Sequence, residues 1–259
     1  AKDEKKAGRI AAEGLCKVVV KDDKVAAVVE VNSETDFVAK NEEFQNFVAA
    51  VADQALASNS ADIDAFLAES WNADSSKTVK DALVEKVAVI GENLTIRRFA
   101  KVEATNGCVV SYTHGGGRIG VIVEAETNVV NDAVKEALTN VAMQIAALTP
   151  KYVSQDEISA DYVEHEKEIL KAQIMNDPKE SQKPEKVIEG MIQGRIKKEL
   201  KEICLVDQVY VKAEDGKQSV GQYIEQVAKE NNADLKVVKF VRFETGEGIE
   251  KKEEDFAAE

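Results

Sequence analysis

Cysteine, histidine, proline and tryptophan are all scarce in this sequence, with 3, 2, 3 and 1 copies in 259 residues. Cys16, Cys108 and Cys204 are odd in number and far apart, so they form neither a disulfide framework nor a metal-ligand spacing. Buried or incidental thiols in a reducing, cytosolic compartment are the expectation. The two histidines, His114 and His165, stand apart with no cysteine at ligand distance, which removes zinc chemistry and histidine-based nucleophilic catalysis. No enzyme motif stands in their place, so the expected protein is not an enzyme and holds no metal and no cofactor. Positive charge is also short. Lysine and arginine number 34 against 48 acids, a formal net charge of -14, and no global field draws the chain onto nucleic acid. Apolar runs such as Val25 to Val29 end in charges far short of the roughly 20 residues a bilayer requires, which excludes a membrane helix.

What remains is a composition of 44% hydrophobic and 32% charged residues, enough apolar material for one or two compact domains. The sequence opens at Ala1, without a charged-then-apolar leader. Residues 1–14 read as a linker in a chain entered partway.

Two β-rich runs, Cys16 to Lys21 and Lys24 to Asn32, flank Asp22-Asp23 and predict a hairpin. Asn41 is placed to cap a following helix whose Phe44, Phe47, Val48, Val51 and Ala55 share one face. Ser58 to Ser76 reads as a polar connection with a helical stretch near Ala65 to Glu69, and Lys77 to Ile90 as a helix stopped by Gly91. Leu94 to Glu103, Val109 to Tyr112 and Ile119 to Glu126 read as strands, joined by turns at Asn106-Gly107 and at His114-Gly115-Gly116-Gly117. A helix carrying Val134, Leu138, Val141, Ile145 and Leu148 follows. An offset of about 92 residues then aligns Val29 and Val31 with Val121 and Val123, and Glu34-Thr35 with Glu126-Thr127.

The fold class expected is therefore α+β, with two pseudo-repeated core subdomains, each an antiparallel sheet with packed helices. The first covers residues 15–104, the second 105–156 and 203–245. Residues 157–202 interrupt the second copy. Apolar stripes at Tyr162, Ile169, Leu170 and Ile174, and at Ile188, Ile192, Ile196 and Leu200, predict an inserted antiparallel coiled-coil hairpin there. Leu205 to Lys212, a helix from Ser219 to Glu230 and a strand from Leu235 to Thr245 complete the second sheet. Residues 246–259 form a C-terminal module with a short acidic helix from Ile249.

Three places invite chemistry. The glycines before Ile119 open a strand rather than a helix, so they read as a tight turn and not as a phosphate cradle. His165 sits in a charged helical run and reads as solvated; His114, at a turn tip, is structural or touches a partner. Asn32 to Lys40 is the third. Either Thr35 or Asp36 caps a helix entry with Phe37 stapled to the core, or the segment carries function. Its counterpart in the second copy has Asn128-Val129 where the first has Asp36-Phe37, which scaffold needs alone do not explain.

Taken together, Glu30-Val31-Asn32, Thr35-Asp36-Phe37-Val38-Ala39-Lys40-Asn41, Ile90-Gly91-Glu92-Asn93, Ile96-Arg97-Arg98, Ser111-Tyr112-Thr113-His114-Gly115, Gly117-Arg118-Ile119-Gly120-Val121, Arg242-Phe243-Glu244 and Gly246-Glu247-Gly248-Ile249-Glu250 closely resemble the bacterial elongation factor Ts family. The resemblance is colinear from about Lys5 to Glu259. It implies a cytoplasmic guanine-nucleotide exchange factor whose partner is the GTPase elongation factor Tu, with no direct nucleic acid and no membrane contact. It further implies that Asp36 and Phe37 reach the partner's magnesium and phosphate site, and that Ile90, Gly91 and His114 lie near that contact. The small helical N-terminal domain usual in the family is expected to precede this sequence. Two other readings remain: a scaffold that binds partners, or itself, through the helical hairpin, and a phosphate enzyme built on the His114 turn.

Overall fold

The computed structural model describes residues 6–250, and the chain divides into two compact units, Ala1–Ala146 with Asp234–Glu259 and Ala147–Ala233. The architecture is mixed α and β with antiparallel sheets.

In the first unit, β1 (Glu13–Lys21), β2 (Val25–Ser33) and β5 (Thr95–Glu103) form a sheet in the order β1-β2-β5. Asp22 and Asp23 both take φ of 55°, the left-handed turn that matches the twist of a two-residue hairpin. The alternation of β2 assigns its two faces. Ala27, Val29 and Val31 pack with Phe44, Phe47, Val48 and Val51 of helix α2 (Glu42–Ala57), whose Asn41 cap accepts a hydrogen bond from Phe44 N at 3.1 Å. Ala26 and Val28 face the other way and join Val102, Val109 and Ile122 between two sheets. The second sheet is β6 (Gly107–His114), β7 (Ile119–Thr127) and β8 (Leu235–Glu244), in that order. Helix α5 (Asp132–Leu148) buries Val134, Leu138, Val141 and Ile145, as the spacing predicts, whereas Leu148, expected on the same face, is exposed at the helix end; the Ala146 carbonyl accepts from Arg242 of β8 at 3.0 Å.

The polar stretch 58–76 holds more order than its sequence suggests. Asp62 caps α3 (Ile63–Leu67), and β3 (Ser70–Trp71) pairs with β4 (Asp74–Thr78) in a small hairpin. The buried amide of Gln54 replaces a longer ladder: it donates to Ser70 O at 3.0 Å and accepts from Asn72 N at 2.9 Å. Helix α4 (Val79–Ile90) begins at the Thr78–Asp81 capping box, two residues inside the expected start, and ends at Gly91 with φ of 84°.

In the second unit, α6 (Ala160–Met175) and α7 (Glu185–Ile203) pack through Ile174, Ile188, Ile192 and Ile196, with Val163, Leu170, Met191 and Leu200 at the margins. Ile169 lies outside this seam and is exposed, whereas Tyr162 meets Tyr152 edge-on. The expected strand over 205–212 is absent. Leu205–Asp207 is a 3-10 turn, and only an isolated bridge joins Val209 to Ser219. Alternation in this stretch serves a different purpose: Tyr210 turns inward and stacks on Tyr223 of α8 (Val220–Glu230) at 4.2 Å, leaving Val209 and Val211 exposed. Of the acidic helix expected from Ile249, the described residues Ile249 and Glu250 are not helical, and 251–259 lie outside the described residues.

Cys16, Cys108 and Cys204 are all free and buried. Burial pushes the Cys16 thiol up to about 12 and Cys204 up to about 11, and raises Cys108 as well. Thiolate, the reactive form, is therefore nearly absent near neutral pH. A disulfide reagent at pH 8 is expected to label all three only as fast as the protein unfolds, and to label them promptly in guanidinium. Rapid labelling of folded protein would contradict this packing.

Candidate functional site

The segment between β2 and α2 turns on Thr35. Its side chain accepts from Val38 N at 3.3 Å, capping the four-residue helix α1 (Asp36–Ala39). Thr35, not Asp36, is the cap. Asp36 sits in the first turn, and its negative charge there is favourable. Phe37 departs from the staple expectation: 82% of it is exposed, while Val38 packs partly on the core and Ala39 is buried. A helix of one turn has no stability of its own, so its neighbours must hold it.

Those neighbours include the second expected segment. Ile90, at the end of α4, packs partly against the core around α2. Gly91 supplies the left-handed cap, donating its N–H to Val87 O at 2.9 Å. Nothing lies within 4 Å of where its Cβ would be, so the glycine answers to backbone conformation and not to crowding. Glu92, next in the chain, accepts from Glu34 N at 3.1 Å, Thr35 N at 3.0 Å and the Thr35 hydroxyl at 2.8 Å. The turn at 90–92 and the helix bearing Asp36 and Phe37 are thus joined by hydrogen bonds.

His114 lies on a separate turn at the end of β6. Its Nδ1 is 2.9 Å from the Tyr112 hydroxyl, and the ring is exposed. Gly117 in this turn approaches β1 closely: its carbonyl accepts from Cys16 N at 2.7 Å, and a Cβ on it would meet the Leu15 side chain at 2.7 Å. Helix α1 also contacts β1, so the two turns share that strand as a support. His165 is exposed on α6. Among the described residues no cluster of His, Cys, Asp and Glu is suited to a metal ion, and no helix is long and apolar enough to cross a membrane.

Beneath the surface segments lies a buried anion that sequence reasoning gave no role. Glu30 of β2 is 0% exposed, between the sheets. Its carboxylate accepts from Asn32 Nδ2 at 2.9 Å, Arg98 Nε at 2.6 Å, Arg97 Nη1 at 3.2 Å and the Gly246 N–H at 2.7 Å. Burial alone would raise its pKa, but the hydrogen bonds from Asn32, Gly246 and Arg98, with the arginine charge, outweigh it and hold the carboxyl below the usual range. Arg98 also stacks on Phe243 at 4.2 Å and pairs with Glu247 at 3.5 Å. The available signal was one acid following the apolar run Val25–Val29, together with two consecutive arginines in a later strand.

Comparison with known proteins bears on the same segments. The elongation factor TS family model matches residues 34–247, which span the α1 helix, the Gly91 turn, the His114 turn and Arg242. The chain belongs to the elongation factor Ts family. It is 52% identical over 256 residues to elongation factor Ts of Clostridioides difficile strain 630, covering 98% of this chain and 82% of that protein. The elongation factors Ts of Clostridium botulinum strain Eklund 17B and Clostridium tetani strain Massachusetts are 47% and 46% identical, with the same coverage of each chain. Within the elongation factor Ts match lie all five residues singled out from the sequence: Asp36, Phe37, Ile90, Gly91 and His114.

Proposed function

We propose that the protein is a guanine-nucleotide exchange factor that accelerates GDP release from elongation factor Tu during translation elongation. The observation that carries this reading is Phe37: a large apolar side chain held 82% exposed on a capped one-turn helix, in a chain of the elongation factor Ts family. Asp36 and Phe37 enter the partner's nucleotide domain near its magnesium and phosphate site, where the aromatic ring wedges between side chains and disturbs the ligands of the nucleotide. Ile90, Gly91 and His114 make the adjoining contacts.

No bond is made or broken by this chain, so no catalytic side chain is needed and the protein is not an enzyme. Its binding is coupled unfavourably to that of the nucleotide, and each weakens the other by the same factor in a ternary complex. Release becomes faster while the overall balance of GDP and GTP is untouched. Two pseudo-repeated subdomains, 15–104 and 105–156 with 203–245, carry the contacts. Residues 157–202 form the coiled-coil insertion, which supports auxiliary contacts or self-association, and residues 246–259 a C-terminal module. The place of work is the cytoplasm.

The test is release of a fluorescent GDP analogue from bacterial elongation factor Tu at rising concentrations of this protein. Saturable acceleration is expected, and an unchanged release rate would overturn the reading. Asp36→Ala is expected to slow catalysed release by about three- to tenfold, since it removes one charged contact. Thr35 remains as the cap, so the thermal midpoint should stay within about 2 °C of wild type. A lowered midpoint with unchanged release would make Asp36 a structural residue.

A further inference from the structure

Phe37 presents its ring to solvent, so burial of that ring does not fix its direction. Its backbone is fixed by the turn that carries it, and that turn hangs on Thr35. The Thr35 hydroxyl has two tasks: it donates its proton to Glu92 at 2.8 Å and accepts from Val38 N at 3.3 Å. Donation to Glu92 orients the remaining lone pairs toward the helix, so the cap depends on the carboxylate. Glu92 also takes the main-chain N–H groups of Glu34 and Thr35, at 3.1 and 3.0 Å, which immobilises the peptide entering the helix. Three donors on one carboxylate make charge-assisted bonds, stronger than neutral ones. The segment is tied a second time through Arg9, whose guanidinium lies 3.6 Å from Glu34 and whose carbonyl accepts from Asn93 at 2.6 Å.

We infer that Glu92 is a positioning residue for nucleotide exchange: projecting from the Gly91 turn, its carboxylate clamps the Thr35 cap and holds the Phe37 turn in the shape the partner receives. This rests on the exchange reading above. For this role Glu92 needs no contact of its own with nucleotide or partner. It acts through Phe37, by keeping the binding-competent fraction of the turn high before encounter.

Two readouts test the clamp. The first needs no activity. Chymotrypsin cuts after Phe37 only when the turn opens locally, so the cleavage rate of the Phe37–Val38 bond in the folded chain reports the open population. Glu92→Ala is expected to raise that rate about tenfold while lowering the thermal midpoint by only about 3–6 °C, the shift that the same loss of native bonds implies for global unfolding, whereas Glu92→Gln, which keeps an acceptor oxygen, should restore most of the protection. Equal cleavage of wild type and Glu92→Ala would overturn the clamp whatever the exchange assay gives. The second readout is a double-mutant cycle on kcat/KM for GDP release. Glu92→Ala alone should cost about tenfold, and almost nothing further once Phe37→Ala is present. Additive losses would show that Glu92 does not act through Phe37 and would overturn the positioning role. A wild-type chain that fails to accelerate release overturns the exchange reading, and with it the role in exchange; the cleavage comparison still decides the clamp.

Discussion

Phe37→Ala is expected to lower kcat/KM for GDP release from elongation factor Tu by about 10- to 100-fold. The magnitude follows from transfer energies: fully burying one phenylalanine side chain contributes about 1.5–3 kcal/mol, and each 1.4 kcal/mol is a factor of ten. In the free protein that contribution is not realised, because the side chain is 82% exposed. Removing it leaves no cavity, and the change in folding stability should stay within about 0.5 kcal/mol. Stopped-flow release and a thermal melt on the same sample separate the two effects. A variant as active as wild type would remove Phe37 from the mechanism; one that loses stability and activity together would mean that the ring packs on the core after all.

The second large effect concerns stability. Glu30→Gln is expected to destabilise the fold by about 3 kcal/mol, the low end of the cost of breaking a buried ion pair, since Arg97 and Arg98 retain some access to water. Glutamine has nearly the same shape, yet every group around the carboxylate is a donor: Asn32 Nδ2, Arg98 Nε, Arg97 Nη1 and Gly246 N–H. An amide NH2 there faces donors and leaves one bond unmade. The pH dependence has a definite sign. Because the folded pKa of Glu30 lies below its unfolded value near 4.3, its contribution is fully present above that value and is lost as pH falls through the folded pKa. Denaturant titrations should show a wild-type advantage that is constant between about pH 6 and 8 and shrinks below about pH 4. A constant difference down to pH 3 would mean that Glu30 does not carry the charge assigned to it.

Much of the scaffold was legible because its signals are local. The β1–β2 hairpin, the Asn41 cap and the apolar faces of α2 and α5 follow from turn chemistry and period alone. The segment 205–212 misled because alternation of inward and outward side chains also arises in an irregular loop when an aromatic such as Tyr210 is drawn into a local core. The β3–β4 hairpin escaped notice because it is short and its polar strands lean on Gln54, distant in sequence. At the candidate site, the segment itself could be singled out in advance, because the second copy has Asn128-Val129 where the first has Asp36-Phe37, but whether Phe37 packs on the core could not. Nor could its anchoring. The bonds from Thr35 to Glu92 and from Gly246 to Glu30 link residues far apart in the chain, and a single sequence carries no record of such pairings.

Helix α7 carries Gly190 and Gly194 in its interior, each with nothing within 4 Å of where a Cβ would stand. Neither is required by crowding, and each lowers helix stability by about 1 kcal/mol relative to alanine. The α6–α7 pair is held mainly by one seam of isoleucines, so its amide hydrogens are set to exchange with solvent through a partial opening well below global unfolding in free energy. Breathing of the hairpin is thereby written into α7 by two side chains that are missing.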